Sequence, residues 1–232
     1  MSRRLILVRH GITDWNREGR FQGHADPPLS DDGRAEARLL GERLASHEDY
    51  RPRRIIASSL ARAFQTAEVI GATIGATIGE AAEPPPVHPD PRLIEVGQGE
   101  WEGRTHAELA LDDAERYAAW RRHAGDDQPP GAEPVEAVLT RARATLDEGL
   151  AMSDGWPLCL VSHGGTLRLL TRSLLALSAR RAWALDLDNA SLSVLSTDSG
   201  GSWSLERWND CGHLLGRVGT HVDEAEGEPL AL

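Results

Sequence analysis

The sequence predicts an α/β fold in three layers, with a mostly parallel central sheet covered by helices on both faces. Three observations carry that expectation. Short runs around Leu5–Val8, Ile55–Ala57 and Leu158–Val161 are apolar throughout, as strands buried on both faces require. Apolar residues at three- and four-residue spacing fill the segments between them, the pattern of amphipathic helices. Strands thus alternate with helices along the chain, which favours a parallel sheet.

Each element follows from local chemistry. Leu5–Arg9 is the first strand, and Gly11–Leu29, rich in Gly, Asp, Asn and Pro, is a loop. Ser30 is an N-cap with Asp31 and Asp32 in the first turn, opening a helix whose stripe is Ala37, Leu40, Gly41 and Leu44. Arg54–Ala57 is the second strand. Leu60, Ala63, Ala67, Ile70 and Ile74 mark the next helix, and the small repeat Gly71–Gly79 is its fraying end. Val87–Leu93 follows Pro84-Pro85-Pro86 as an extended edge. Short helical patterns at 105–111 and 114–123 form an insertion over one end of the sheet. Pro134 opens a long helix as its first residue, with Val135, Val138, Leu139, Ala142, Leu146 and Leu150 along it. Leu158–Ser162 is a buried strand, and the helix after Gly164-Gly165 carries Leu167, Leu170 and Leu174. Two last strands, Ser191–Leu195 and Trp203–Trp208, flank a turn at 198–201. Trp156, Trp183, Trp203 and Trp208 are packing or interface residues.

With 232 residues the chain suits a single domain over 1–222, with the insertion at 97–134, and an acidic tail at 223–232 expected to be disordered. Mean hydropathy is -0.39, and no apolar run approaches a membrane span. The formal net charge of -11 speaks against nucleic acid or an anionic membrane as partner. The apolar N-terminal stretch is too short for a secretory leader, and Cys159 and Cys211 offer neither a disulfide framework nor zinc-ligand spacing, so the cytoplasm is the expected compartment. All 25 basic residues are Arg, which excludes any lysine Schiff base or P-loop lysine.

Ligands of open parallel sheets sit beyond the C-terminal strand ends. The first strand ends in Arg9-His10-Gly11, the second in Ser58-Ser59 with Arg62 a turn into the helix, and a third in Ser162-His163-Gly164-Gly165. Two histidines and two arginines therefore converge on one edge. Taken alone, a strand-end His is more often structural, an early helical Arg more often solvated, and Gly-Gly a simple turn. Together they suit a phosphomonoester dianion. Arg9 and Arg62 can neutralise it with forked hydrogen bonds. A neutral imidazole can then attack phosphorus while a second one stabilises the developing charge. Helix N–H groups after His163 can assist. The arginines and imidazole can balance the charge without a metal or cofactor.

These residues also resemble a known family. Arg9-His10-Gly11-Ile12-Thr13 with Asn16 is similar to the opening signature of the histidine phosphatase superfamily, the phosphoglycerate mutase-like group. Further similar blocks are Arg20–Ser30, Ser58–Ala67, Leu93-Ile94-Glu95 with Gly99–Gly103, and Val161–Gly165. The resemblance spans Leu5 to about Asn209 and implies the phosphoglycerate mutase-like fold. It implies His10 as the nucleophile, with Arg9, Arg62 and His163 completing the phosphate pocket. Asn16, Gln22, Gly23 and Gly164 add phosphate or substrate contacts, and Glu95 is the proton donor and then the base. Ile12 stands where Glu or Gln is common, and Gly131-Ala132-Glu133-Pro134 replaces a Gly-Gly-Glu-Ser block. Many members pair through a sheet edge, which leaves room for a homodimer.

Two enzymatic readings share this chemistry. A phosphatase passes the phosphoryl group to water, and a phosphoglycerate mutase passes it to a second hydroxyl. The stretch from Glu95 to Gly103 resembles the phosphatase branch rather than the Glu-Arg-His-Tyr-Gly type block of mutases, so a phosphatase is favoured, with the mutase as alternative. A non-catalytic phospho-ligand binding module is disfavoured by the intact His10, His163, Arg9, Arg62 and Glu95. The expected substrate is a small phosphorylated metabolite: a glycosylated phosphoglycerate, a sugar phosphate, a ribazole phosphate or a broad set. Arg104, His106, Arg116, Trp120 and Arg121 of the insertion could reach it, although a solvated helix face is the commoner fate of such residues.

Overall fold

The computed structural model describes residues 3–79, 83–122, 128–152, 156–179, 181, 184–198 and 200–215. The expected acidic tail and Trp183 lie outside them. Six strands form one sheet: β1 (Arg3–Arg9), β2 (Arg54–Ser58), β3 (Val87–Asp90), β4 (Leu158–Ser162), β5 (Leu192–Thr197) and β6 (Trp203–Asp210). Their order is β3-β2-β4-β1-β5-β6. β3, β2, β4 and β1 are parallel, β5 is antiparallel to β1, and β6 is antiparallel to β5.

The helices are α1 (Asp14–Arg17), α2 (Asp31–Ser46), α3 (Ala61–Ile78), α4 (His106–Asp112), α5 (Ala114–Arg122), α6 (Val135–Ala151) and α7 (Gly164–Leu174). Strand alternation sorts the core into two layers. Ile6, Val8, Ile55, Ala57 and Val161 pack against Ala37, Leu40, Ile70 and Ile74 of α2 and α3. Leu5, Leu7, Leu158 and Leu160 pack against Leu146, Leu167 and Leu170 of α6 and α7. Trp156, Trp203 and Trp208 pack against that second cluster. A third, small cluster of Phe21, Trp101, Leu109 and Tyr117 supports the insertion. Among the described residues no helix is long and apolar enough to cross a membrane.

Several elements differ from expectation. The stretch from Gly11 to Leu29 contains a one-turn helix, α1, made possible by a capping box between Thr13 and Asn16. β3 stops at Asp90, because the Asp90 side chain accepts from Arg92 N–H and turns Pro91–Leu93 into a single tight helical turn. The Gly71–Gly79 repeat does not fray: α3 runs to Ile78. A Cβ on Gly71 would sit 2.9 Å from Val87 Cγ2, and one on Gly75 2.9 Å from Pro84 Cβ, so these glycines let the following chain lie against the helix. Pro134 occupies the N-cap rather than the first helical position. Ser30 is the N-cap of α2 and accepts from Gly33 N–H.

Candidate active site

Parallel register brings the predicted strand ends side by side. Arg9 pairs with Ser162, and Ala57 with Val161, so His10, His163 and Ser58 emerge together at the C-terminal edge of the sheet. There they meet a cavity of about 180 Å³ lined by Arg9, His10, Asn16, Gln22, Gly23, Arg62, Glu95 and Gly164. Of the nine residues singled out from sequence, only His163 is not among the lining. It is fully buried, with its ring centroid 5.1 Å from that of His10.

The backbone around His10 is fixed from several sides. His10 N–H donates to Ser162 O, while His10 O accepts from Ala190 N and the Asn189 amide. Gly11 N–H donates to Thr66 Oγ1 and Ile12 N–H to Glu36 Oε2. A Cβ on Gly11 would lie 2.6 Å from Gly33 O, so only glycine lets α2 approach this turn. The His10 ring is 3% exposed, and its Nδ1 lies 2.7 Å from Gly11 O. A carbonyl only accepts, so Nδ1 carries the proton and Nε2 carries the lone pair.

His163 caps α7, and its Nε2 lies 2.8 Å from Ser58 Oγ. Ser58 Oγ also accepts from Leu60 N–H. His163 Nδ1 is buried and has no hydrogen-bond partner among the described residues. Arg62 is fully buried, donating to Ala25 O and Gly23 O, while its Nε is likewise buried without a partner. Burial pushes Arg62 down to about 10, still cationic at neutral pH. Arg9 donates to Leu187 O at 2.5 Å. The Asn16 carboxamide oxygen is taken up by Thr13, so the NH₂ is what Asn16 can offer an anion. Gln22 carries a buried carbonyl oxygen with no hydrogen-bond partner among the described residues.

Glu95 has both carboxylate oxygens held. Oε1 accepts from Val96 N–H and Thr166 N–H, and Oε2 accepts from Gly165 N–H, while the Thr166 hydroxyl donates to Ile94 O. The α7 N-terminus, expected to serve the phosphate, thus gives two of its N–H groups to Glu95. Gly165 permits this approach, since a Cβ there would lie 2.8 Å from Glu95 Oε1. The insertion brings His106 and Trp120 to the cavity wall with Phe21, whereas Arg104 and Arg116 pair with Asp112 and Asp113.

Sequence reasoning missed Glu36, Gln98 and Arg168. Glu36 had a signal: it lies three residues after Gly33 and four before Leu40, on the apolar face of α2, where a charge is out of place. Arg168 follows Gly164-Gly165 by one turn, donates to Leu185 O and lines the cavity. Among the described residues no group of three or more His, Cys, Asp or Glu side chains could hold a metal ion.

His10 and His163 are both held well below the usual histidine value of 6.5, first by burial and then by the Arg62 charge, with Arg9 adding to it. Burial and Arg43 bring His213 down to about 4. All three are neutral in the native state at pH 7. The unfolded chain binds protons at these positions as pH falls below 6.5 while the native chain does not, so native stability declines with acidification. Each histidine contributes about 1.4 kcal/mol per pH unit once pH is well below 6.5. The thermal midpoint is expected to fall from pH 6.5 toward 4, less steeply in His10→Asn. A flat midpoint over that window would contradict neutral burial.

The histidine phosphatase superfamily (branch 1) profile matches residues 5–211. A glucosyl-3-phosphoglycerate phosphatase of Mycobacterium tuberculosis is 35% identical, covering 90% of this chain and 95% of the relative. An adenosylcobalamin/alpha-ribazole phosphatase of Salmonella typhimurium is 34% identical, covering 85% of this chain and 92% of that protein. A solved structure of a mycobacterial glucosyl-3-phosphoglycerate phosphatase in complex with VO3 superposes with a TM-score of 0.78 at 35% identity, over 89% of this chain and 99% of that one.

Proposed function

Because the chain belongs to the histidine phosphatase superfamily, we propose that it hydrolyses a small phosphomonoester through a phosphohistidine on His10. The observation that carries this reading is the His10 tautomer: Nδ1 donates to Gly11 O, leaving Nε2 as a neutral nucleophile beside two arginines and a second imidazole.

Arg9 and Arg62 neutralise the phosphate dianion and orient it. The unpartnered Arg62 Nε and His163 Nδ1 supply two further donors to phosphoryl oxygens. His10 Nε2 forms a bond to phosphorus as the ester P–O bond breaks. Glu95, protonated, gives its proton to the departing oxygen. Its carboxylate then takes a proton from water, the hydroxide oxygen attacks phosphorus, and the P–N bond breaks. Inorganic phosphate leaves, and His10 and Glu95 return to their starting states. Asn16, Gln22, Gly23 and Gly164 shape the phosphate end of the cavity.

Two similar proteins are named for glucosyl-3-phosphoglycerate and alpha-ribazole chemistry. The arginines lining the cavity suit the same kind of substrate, a small organic phosphate. The test is phosphate release in EDTA from a panel of sugar phosphates, phosphoglycerates, glycosylated phosphoglycerates and ribazole phosphate. The expected result is release undiminished by EDTA. Strict dependence on an added divalent cation, or interconversion of phosphoglycerates without release, would overturn the reading, the latter in favour of the mutase.

A further inference from the structure

Glu133 and Arg141 are not among the residues lining the cavity, yet they are built around the segment that carries Glu95. Arg141 sits on α6, beside the buried stripe. Its Nη1 donates to Arg92 O at 2.8 Å and Ile94 O at 2.6 Å, and its Nη2 donates to Glu95 O at 2.9 Å. The remaining donors meet Glu133: Nε to Oε1 and Nη2 to Oε2, both at 2.8 Å. Glu133 reaches the same segment itself, accepting from Gly97 N–H through Oε2 and donating its own N–H to Gly97 O. His24 Nε2 donates to Glu95 O from the other side, 3.7 Å from Glu133 Oε2.

We propose that Arg141, oriented by Glu133, is the positioning residue for Glu95, acting on departure of the leaving group and not on phosphate binding. The inference rests on Glu95 being the proton donor. Three carbonyls within four residues converge on one planar fork, a geometry that guanidinium matches and an ammonium does not. Two separate devices thus hold Glu95. Arg141 on α6 fixes its backbone, and the N-terminus of α7 fixes its carboxylate. A general acid must lie within hydrogen-bond reach of the oxygen it protonates. Loss of the fork frees the backbone while leaving the hydrogen-bond contacts of Arg9, His10, Arg62 and His163 in place. The same contacts explain the Gly131–Pro134 block: Glu133 orients Arg141, whether or not a serine follows.

The test measures kcat/KM for Arg141→Lys, Arg141→Gln, Glu133→Gln and Glu95→Gln over phosphate esters of graded leaving-group basicity, from p-nitrophenyl to alkyl. This ratio covers steps only through P–O cleavage, so the later water step does not enter. Arg141→Lys is expected to lose at most about threefold with p-nitrophenyl phosphate, whose leaving group needs little protonation. It is expected to lose roughly a hundredfold with alkyl esters, the scale of an ångström of misplacement. Glu133→Gln should show the same slope change in smaller degree, and inhibition by inorganic phosphate should keep its wild-type constant in both. A uniform loss over all leaving groups, or a weakened phosphate constant, in the two mild variants would overturn the proposal in favour of a structural role. No loss in any Arg141 variant would overturn it outright. If Glu95→Gln itself leaves the slope unchanged, the proton-donor role fails and this inference fails with it.

Discussion

Replacing His10 with alanine is expected to lower phosphatase kcat by a factor on the order of ten thousand or more, the scale seen when a nucleophile that acts as part of a unit is removed. The neighbouring imidazoles are already engaged: His163 Nε2 lies 2.8 Å from Ser58 Oγ, and on the cavity wall His106 Nδ1 lies 2.9 Å from the Tyr117 hydroxyl oxygen. Phosphate binding should survive, because Arg9 and Arg62 remain. The variant is therefore a test of chemistry: steady-state assays should show lost turnover, and calorimetry with inorganic phosphate should show retained affinity. A loss of less than tenfold would mean that another group attacks phosphorus.

Glu95→Gln is the second large effect. The amide keeps the size of the side chain but cannot release a proton to the ester oxygen or take one from water. General acid–base catalysis of this kind is worth roughly a hundred- to ten-thousandfold. With alkyl phosphates kcat should fall within that range. With p-nitrophenyl phosphate the first step needs little assistance, so p-nitrophenol should appear as a rapid burst followed by slow turnover, because the same residue is needed again to activate water. Wild-type turnover without a burst phase in this variant would remove Glu95 from the mechanism.

Much of this fold could be read in the chain because its central strands are buried on both faces. Leu5–Val8 and Leu158–Val161 have no polar alternation to confuse with a surface strand, and their ends bring His10 and His163 to one edge. The paired strand ends made the residues of the candidate site legible. What stayed hidden depends on close approach in three dimensions. Gly165 reads as half of a tight turn, but its missing Cβ is what lets Glu95 reach the α7 N-terminus. Arg141 reads as an ordinary helical arginine, since nothing local reveals three carbonyls of a distant turn converging on it. The insertion divides by environment. Trp120 and His106 line the cavity, while Arg104 and Arg116 pair with Asp112 and Asp113. The one-turn α1 was masked by loop-forming composition and depends on the reciprocal Thr13–Asn16 cap. The net charge of -11 also conceals the local balance, in which two arginines flank a neutral His10.

The most direct test of the covalent route is to mix the Glu95→Gln protein with p-nitrophenyl phosphate, quench within the burst under alkaline denaturing conditions that preserve a P–N bond, and map the phosphoryl group by peptide mass spectrometry. The expected result is a phosphoryl group on the His10 imidazole, in an amount matching the p-nitrophenol burst and lost on mild acid treatment. A burst with no protein-bound phosphoryl group, or one carried by any other residue, would contradict the phosphohistidine mechanism.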